Sequence, residues 1–269
     1  MTIDLNKARR AFTLLELLVV LMILAAVAGV ALPMLGNSTK ETHGATGAAA
    51  LSNVTQALQL RSARGLRAGG ADFDSLLADV AAGSPSVIPY SMYGMGAGMG
   101  GLANAGLSAV DLGSFGAARS WAPGIDAQRV ADALRAAGIT QTLDMAPAPA
   151  DKTFANTQGV NAIGATPSGW ICEVDPSALV TDLNLRADRY YVAFGLGNDA
   201  EVVGSSLNTA PVFMPMSGGA SDTYANLWVF YEVPADGAAR FAAAGMPMKG
   251  GVLGVDHHIK VYHQGRQEN

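Results

Sequence analysis

Cysteine is almost absent: Cys172 is the only one in 269 residues. No intramolecular disulfide can form, so packing or assembly must hold the fold together. Charge is scarce as well, at 14% of residues, and the mean hydropathy of +0.25 is high for a water-soluble domain. Such a composition directs attention to a membrane segment. Acidic residues outnumber basic ones, 22 to 17, and the N-terminal Lys7, Arg9 and Arg10 outweigh Asp4, so the remainder is more acidic still. That surface does not favour nucleic acid. No G-x-S-x-G, H-E-x-x-H or paired-cysteine motif is present, which leaves no positive case for catalysis. No internal repeat is evident. Half of the residues are hydrophobic, enough to bury a sizeable core and to argue against disorder throughout.

The longest apolar run is FTLLELLVVLMILAAVAGVALPML, from Phe12 to Leu35, interrupted only by Thr13 and Glu16. At 1.5 Å per residue, roughly 20 such residues cross a hydrocarbon core about 30 Å thick. The basic cluster before it stays on the cytoplasmic side under the positive-inside rule, which sends everything after Leu35 outward. A secretory signal peptide shares this order, but its apolar region is shorter, and no A-x-A-like site ends this run before Pro33 and the polar stretch 36–41. A plain single-pass anchor leaves Glu16 unexplained. An acidic side chain at bilayer depth costs about 2.5 to 3.5 kcal/mol on insertion scales and marks function by default.

The stretch Arg9-Arg10-Ala11-Phe12-Thr13-Leu14-Leu15-Glu16-Leu17-Leu18-Val19-Val20 resembles the prepilin cleavage and methylation signature of type IV pilins and type II secretion pseudopilins. The resemblance covers about Arg9 to Pro33. It implies cleavage between Ala11 and Phe12 by a prepilin peptidase and N-methylation of the new Phe12 amine. Ala11 stands where the family usually has glycine. Pro33 falls where the family often has a helix-kinking proline. A subunit entering a filament must bury both the Phe12 amine and the Glu16 carboxylate among apolar helices. Pairing Glu16 with the Phe12 amine of a neighbouring subunit offsets much of that desolvation and sets axial register.

The spacing predicts a long N-terminal helix, kinked or locally melted at Pro33 and weakened by Gly29, Gly44 and Gly47. Leu51, Val54 and Leu58 recur at helical spacing and form a face against which a head can pack, with Arg61, Arg64 and Arg67 near the helix end. A short helix is expected over 72–82 with Asp72 as cap, and another over 126–137 with Asp126 as cap and Gly138 as stop. Trp170–Val174, Tyr190–Leu196, Glu201–Val203, Val212–Met214, Leu227–Val233 and Ile259–Tyr262 read as strands, with a hairpin turn at Gly197-Asn198-Asp199-Ala200. Tyr190, Val192, Phe194 and Leu196 would share one buried face.

The expected fold is α+β and pilin-like: a long N-terminal helix, membrane-spanning in one half and amphipathic in the other, packed against an antiparallel β-sheet head. It divides into a basic leader (1–11), a transmembrane and assembly helix (12–35), the outer half of the stem (36–65) and the head (66–269). Within the head, 83–122 is a glycine- and methionine-rich irregular insertion and about 168–265 is β-rich.

Other candidate chemistry is weak. Gly96-Ala97-Gly98-Met99-Gly100-Gly101 matches the dinucleotide pattern G-x-G-x-x-G but lacks a preceding strand and a following helix, so a loop is favoured. His257, His258 and His263 would not converge on a metal from one strand, which favours an exposed polar strand. Asp199 and Glu201 flank a turn as hard oxygen ligands and suggest calcium only weakly; no other cofactor is expected. Cys172 reads as a packed small residue, and Trp228, Phe230 and Tyr231 as core.

The expectation is therefore a non-enzymatic filament subunit. Its expected partners are other copies or related subunits, the prepilin peptidase, an inner-membrane assembly platform, and membrane lipid before assembly. It would sit in the inner membrane with its N-terminus cytoplasmic and its head outside, then in a periplasmic or cell-surface filament. The alternatives are a type II secretion pseudopilin and, in another class, a membrane-tethered envelope-facing binding protein or enzyme.

Overall fold

The structure is a computed structural model that describes residues 14–66, 72–78, 80, 83, 85–87, 106–116, 118–145, 159–179, 181–197, 199–211, 226–248 and 251–267. Helix α1, Leu14–Ala63, is unbroken for 50 residues, about 75 Å at the usual rise. The local melting expected at Pro33 is not seen. A proline removes one backbone hydrogen bond, and the regular turns on both sides carry the helix through it.

Ten strands follow among the described residues: β1 Phe73–Ala78, β2 Ser86–Val87, β3 Leu107–Asp111, β4 Gln141–Met145, β5 Gly159–Ala162, β6 Trp170–Val174, β7 Tyr190–Gly195, β8 Trp228–Val233, β9 Arg240–Met248 and β10 Gly251–Leu253. Helix α2, Ala127–Ala136, lies between β3 and β4, and helix α3, Val255–Gln267, follows β10. The central path of the sheet runs β10-β9-β8-β7-β1-β4-β5, with β6 also on β7, β3 on β6 and β2 on β1. The head is α+β as expected, but the sheet is mixed rather than antiparallel, because β1 and β4 pair in parallel.

Strand β7 explains the layering. All six of its residues are buried. Tyr190, Val192 and Phe194 face a core that includes Leu51, Val54 and Leu58 of α1 and Val130 and Leu134 of α2. Tyr191 and Ala193 face a second core with Cys172, Trp228 and Phe230. The α1 side chains Leu51, Val54 and Leu58 have no exposed surface, so the C-terminal half of α1 is part of the head's core.

Several local expectations are corrected. The segment predicted as a helix over 72–82 contains strand β1 instead, inserted between β4 and β7. Phe73, Leu76 and Leu77 satisfy helical spacing, but Asp74 and Ser75 are buried too, which suits a central strand covered on both faces. A register shift between Asp74 and Ala78, with Leu76 at φ 60°, blurs the alternation that would have revealed it. The supposed irregular insertion over 83–122 contains β2, β3 and a 3-10 turn, Leu112–Ser114. Glu201–Val203 is a turn region, not a strand, and β7 pairs with β8 rather than through a hairpin at 197–200. Ile259–Tyr262 belongs to α3, so the histidines lie on a helix. The expected strand Val212–Met214 lies outside the described residues, as does the glycine motif 96–101.

Helix α2 forms as its sequence indicates. Asp126 caps it by accepting the Arg129 amide at 2.8 Å, and Gly138, at φ 91°, takes the left-handed turn after its end.

Candidate assembly site

Among the described residues, nothing covers the apolar side chains of α1 between Leu15 and Val27. From Leu15 to Val27 the large apolar side chains are between 40% and 71% exposed, and Leu15, Leu17, Val19, Ile23 and Val27 lie on different sides of the helix. A stripe facing a core would show one buried side, and there is none here. Fully covering a Leu or Val is worth about 1.5 to 3 kcal/mol, so leaving this surface in water is costly. Glu16 is exposed among these residues, in the first turn, where a carboxylate suits the positive end of the helix dipole. Ala11 and Phe12 lie outside the described residues.

Among the described residues no helix is long and apolar enough to cross a membrane. The described apolar side chains, 15–28, span about 21 Å, against roughly 30 Å of hydrocarbon.

The other half of α1 is anchored by packing and by Arg61. This arginine is buried, donates to Ser205 Oγ at 2.8 Å and Ser206 Oγ at 3.3 Å, and pairs with Glu201 at 3.4 Å. Glu201 is therefore engaged with the stem. Asp199 is exposed, and no group of three or more metal-ligating side chains comes together among the described residues. An open groove of about 660 Å³ runs beside α1 along 206–211. It is lined by side chains such as Asn53, Ala57, Leu60 and Thr209, and no titratable group lines it.

Helix α3 packs against α1 at Gly44 and Gly47. A Cβ at Gly44 would stand 2.7 Å from the His258 carbonyl oxygen and from the Tyr262 amide nitrogen. His258 is buried, and its pKa is lowered to about 4, first by burial, then by the neighbouring His257, with Asp182 opposing. The three histidines do not form the exposed strand that was expected. Nothing short of the partner helix reveals this in sequence, except that Val255, His258 and Tyr262 recur at helical spacing.

Cys172 is fully buried and its thiol is pushed up to about 12 by burial and the adjacent Glu173, so it is a packing residue. Glu173 itself is buried. It accepts two bonds from Arg119 Nε, at 2.8 and 2.9 Å, and one from the Tyr190 hydroxyl at 2.7 Å. Trp228, Phe230 and Tyr231 are all buried, as expected of core residues.

Residues 6–32 match the family model described as the prokaryotic N-terminal methylation motif. The chain carries a prepilin-type processing signal. This is the cleavage and methylation signal of type IV pilins and pseudopilins, and it supports a processed, membrane-anchored precursor of that kind. The match includes Ala11, Phe12 and Glu16 and ends just before Pro33. No curated protein and no solved structure matches the chain.

Proposed function

We propose that this chain is the structural subunit of a type IV pilus-like filament. A prepilin peptidase cuts between Ala11 and Phe12, and the apolar half of α1 holds the subunit in the inner membrane with its head outside. An assembly platform then extracts it, and the apolar helices of successive subunits pack together. The observation that carries this reading is the one helix that is buried in the head at Leu51, Val54 and Leu58 and exposed on every side from Leu15 to Val27. Such a helix couples a folded head rigidly to an uncovered apolar rod, and the rod carries the processing signal at its start. The role is structural rather than catalytic.

Glu16 supplies the register. In the filament its carboxylate pairs with the Phe12 amine of the adjacent subunit. Removing one member of a buried pair costs on the order of 3 to 5 kcal/mol. The test compares wild type with Glu16→Val and Glu16→Asp for membrane level, N-terminal processing and yield of sheared filaments. Glu16→Val should insert and be cleaved normally yet give few or no filaments. Normal filaments from this variant would refute the pairing. A fall in membrane level alone would favour a tethered domain.

A further inference from the structure

The outer half of α1 presents an exposed side without charge. Residues 42–60 contain no Asp, Glu, Lys or Arg, although Lys40 and Glu41 precede them and Arg61 and Arg64 follow. Thr46, Ala49, Asn53 and Gln56 are exposed, and Leu60 is 50% exposed. These five recur at helical spacing and form one stripe of α1, across the helix from buried Leu51 and Leu58. Helix α3 lies on the other side, at Gly44 and Gly47, and leaves the stripe open. A helix side that stays in water ordinarily carries charged residues, and this one carries none over about 21 Å.

The stripe is one wall of the 660 Å³ groove, and 206–211 is the other. That second wall is formed before anything enters. Arg61 donates to the Ser205 and Ser206 hydroxyls, the Ser206 and Leu207 amides donate to the Val202 carbonyl, and the Gly204 amide donates to the Leu207 carbonyl. A preformed wall loses little conformational freedom on binding. Ala49, Ala50 and Ala57 line the α1 side, and side chains this short let a second helix approach closely.

We propose that this groove receives the apolar half of α1 from a second copy of the chain in the filament. The proposal rests on the filament reading above. Charge selects the occupant: a charged segment would lose its hydration here without gaining an ionic partner, since no charged side chain lines the groove. The chain itself supplies an uncharged helix. Residues 17–39 contain no Asp, Glu, Lys or Arg, and the large apolar side chains from Leu15 to Val27 are uncovered among the described residues. With the two helices parallel, placing Leu21 beside Asn53 sets the second copy about 48 Å further along the axis toward the head end. Pairing Glu16 with a Phe12 amine needs an offset of only about 6 Å, so the groove contact joins a different, more distant pair of subunits.

The test uses filaments of the full chain. A photoreactive benzophenone side chain is placed at Asn53 or, separately, at Thr209 on the other wall. Filaments are grown from isotopically light and heavy subunits together, so that links between copies are recognised by mass. Links should run from either position to 15–27 of another copy and should disappear when filaments are dissociated in detergent. Ala49→Lys puts a charge into the groove, and Gln59→Lys puts the same charge at an exposed position outside it. Both variants should be inserted and cleaved like wild type. Ala49→Lys should lower the yield of sheared filaments at least about tenfold, and Gln59→Lys less than about twofold. Links to another copy's head, to a different protein or to nothing would overturn the contact, as would equal yields from the two lysine variants. A wild-type chain that forms no filaments overturns both the filament reading and this contact. Filaments whose links miss the apolar run overturn the contact alone.

Discussion

Gly47 of α1 and His258 of α3 share one volume: a Cβ on Gly47 would lie 2.5 Å from Nδ1 of His258. The imidazole fills the space that any other residue at position 47 would need. Glycine normally costs a helix about 1 kcal/mol relative to alanine, and here that cost is accepted for a close helix contact. Gly47→Ala should therefore destabilise the protein in spite of its better helix propensity, by up to about 2 kcal/mol once overpacking is set against propensity. The check is thermal unfolding in detergent. His258→Ala should recover part of the loss in the double variant, because the two positions are coupled.

The same histidine gives the stability a pH dependence. Burial lowers its pKa from 6.5 to about 4, so the folded protein binds this proton less readily than the unfolded chain. Above about pH 6.5 the ring is neutral in both states and its contribution is complete. As pH falls from there toward 4, the unfolded chain is protonated first and stability declines, by at most roughly 3 kcal/mol. Buried Asp144 acts in the opposite sense, because burial raises its pKa: its ionised form destabilises the fold, and that cost is relieved as pH falls. A comparison isolates the histidine: His258→Asn, measured by denaturant unfolding across this window, should lose less stability on acidification than wild type. An identical slope would show that the ring does not report folding.

The buried Glu173 carboxylate depends on Arg119. Arg119→Leu leaves the charge buried with the Tyr190 hydroxyl and, at 3.4 Å, Ser108 Oγ as its hydrogen-bond donors. A loss of about 3 to 5 kcal/mol is expected at neutral pH. Arg119→Leu/Glu173→Leu should be closer to wild type than the single variant, since it removes the uncompensated charge. Chemical denaturation of all three chains measures the difference.

Processing predicts the mass of the mature protein. Intact-mass measurement on membrane-extracted protein should show loss of the first eleven residues and one added methyl group on Phe12. A mature chain beginning after Pro33 would instead indicate ordinary signal-peptide cleavage.

Elements whose residues carry a local reason for their conformation were legible in advance. Trp170–Val174 and Trp228–Val233 combine β-branched and aromatic side chains and form β6 and β8. Asp126 and Gly138 bracket α2 because cap geometry is a short-range effect. Strand β1 was misread because its helix-like spacing is local, whereas its pairing with β4 and β7 is not. The C-terminal helix was misread for a similar reason. His257, His258 and Ile259 are acceptable in a strand, and only the two glycines on α1, more than two hundred residues earlier, provide a surface that favours a helix.

Residue order alone specifies the processing signal, the apolar run and the one carboxylate within it, Glu16, since these depend on composition and hydrophobicity over a few turns. Tertiary structure alone decided that Gly44 and Gly47 are a docking seam rather than a weak point in the helix. It also decided that the sheet is mixed and that α3 packs against α1. Each of these depends on which distant segment comes to lie alongside, and the free energy that selects among such pairings is gained only when both surfaces leave water together.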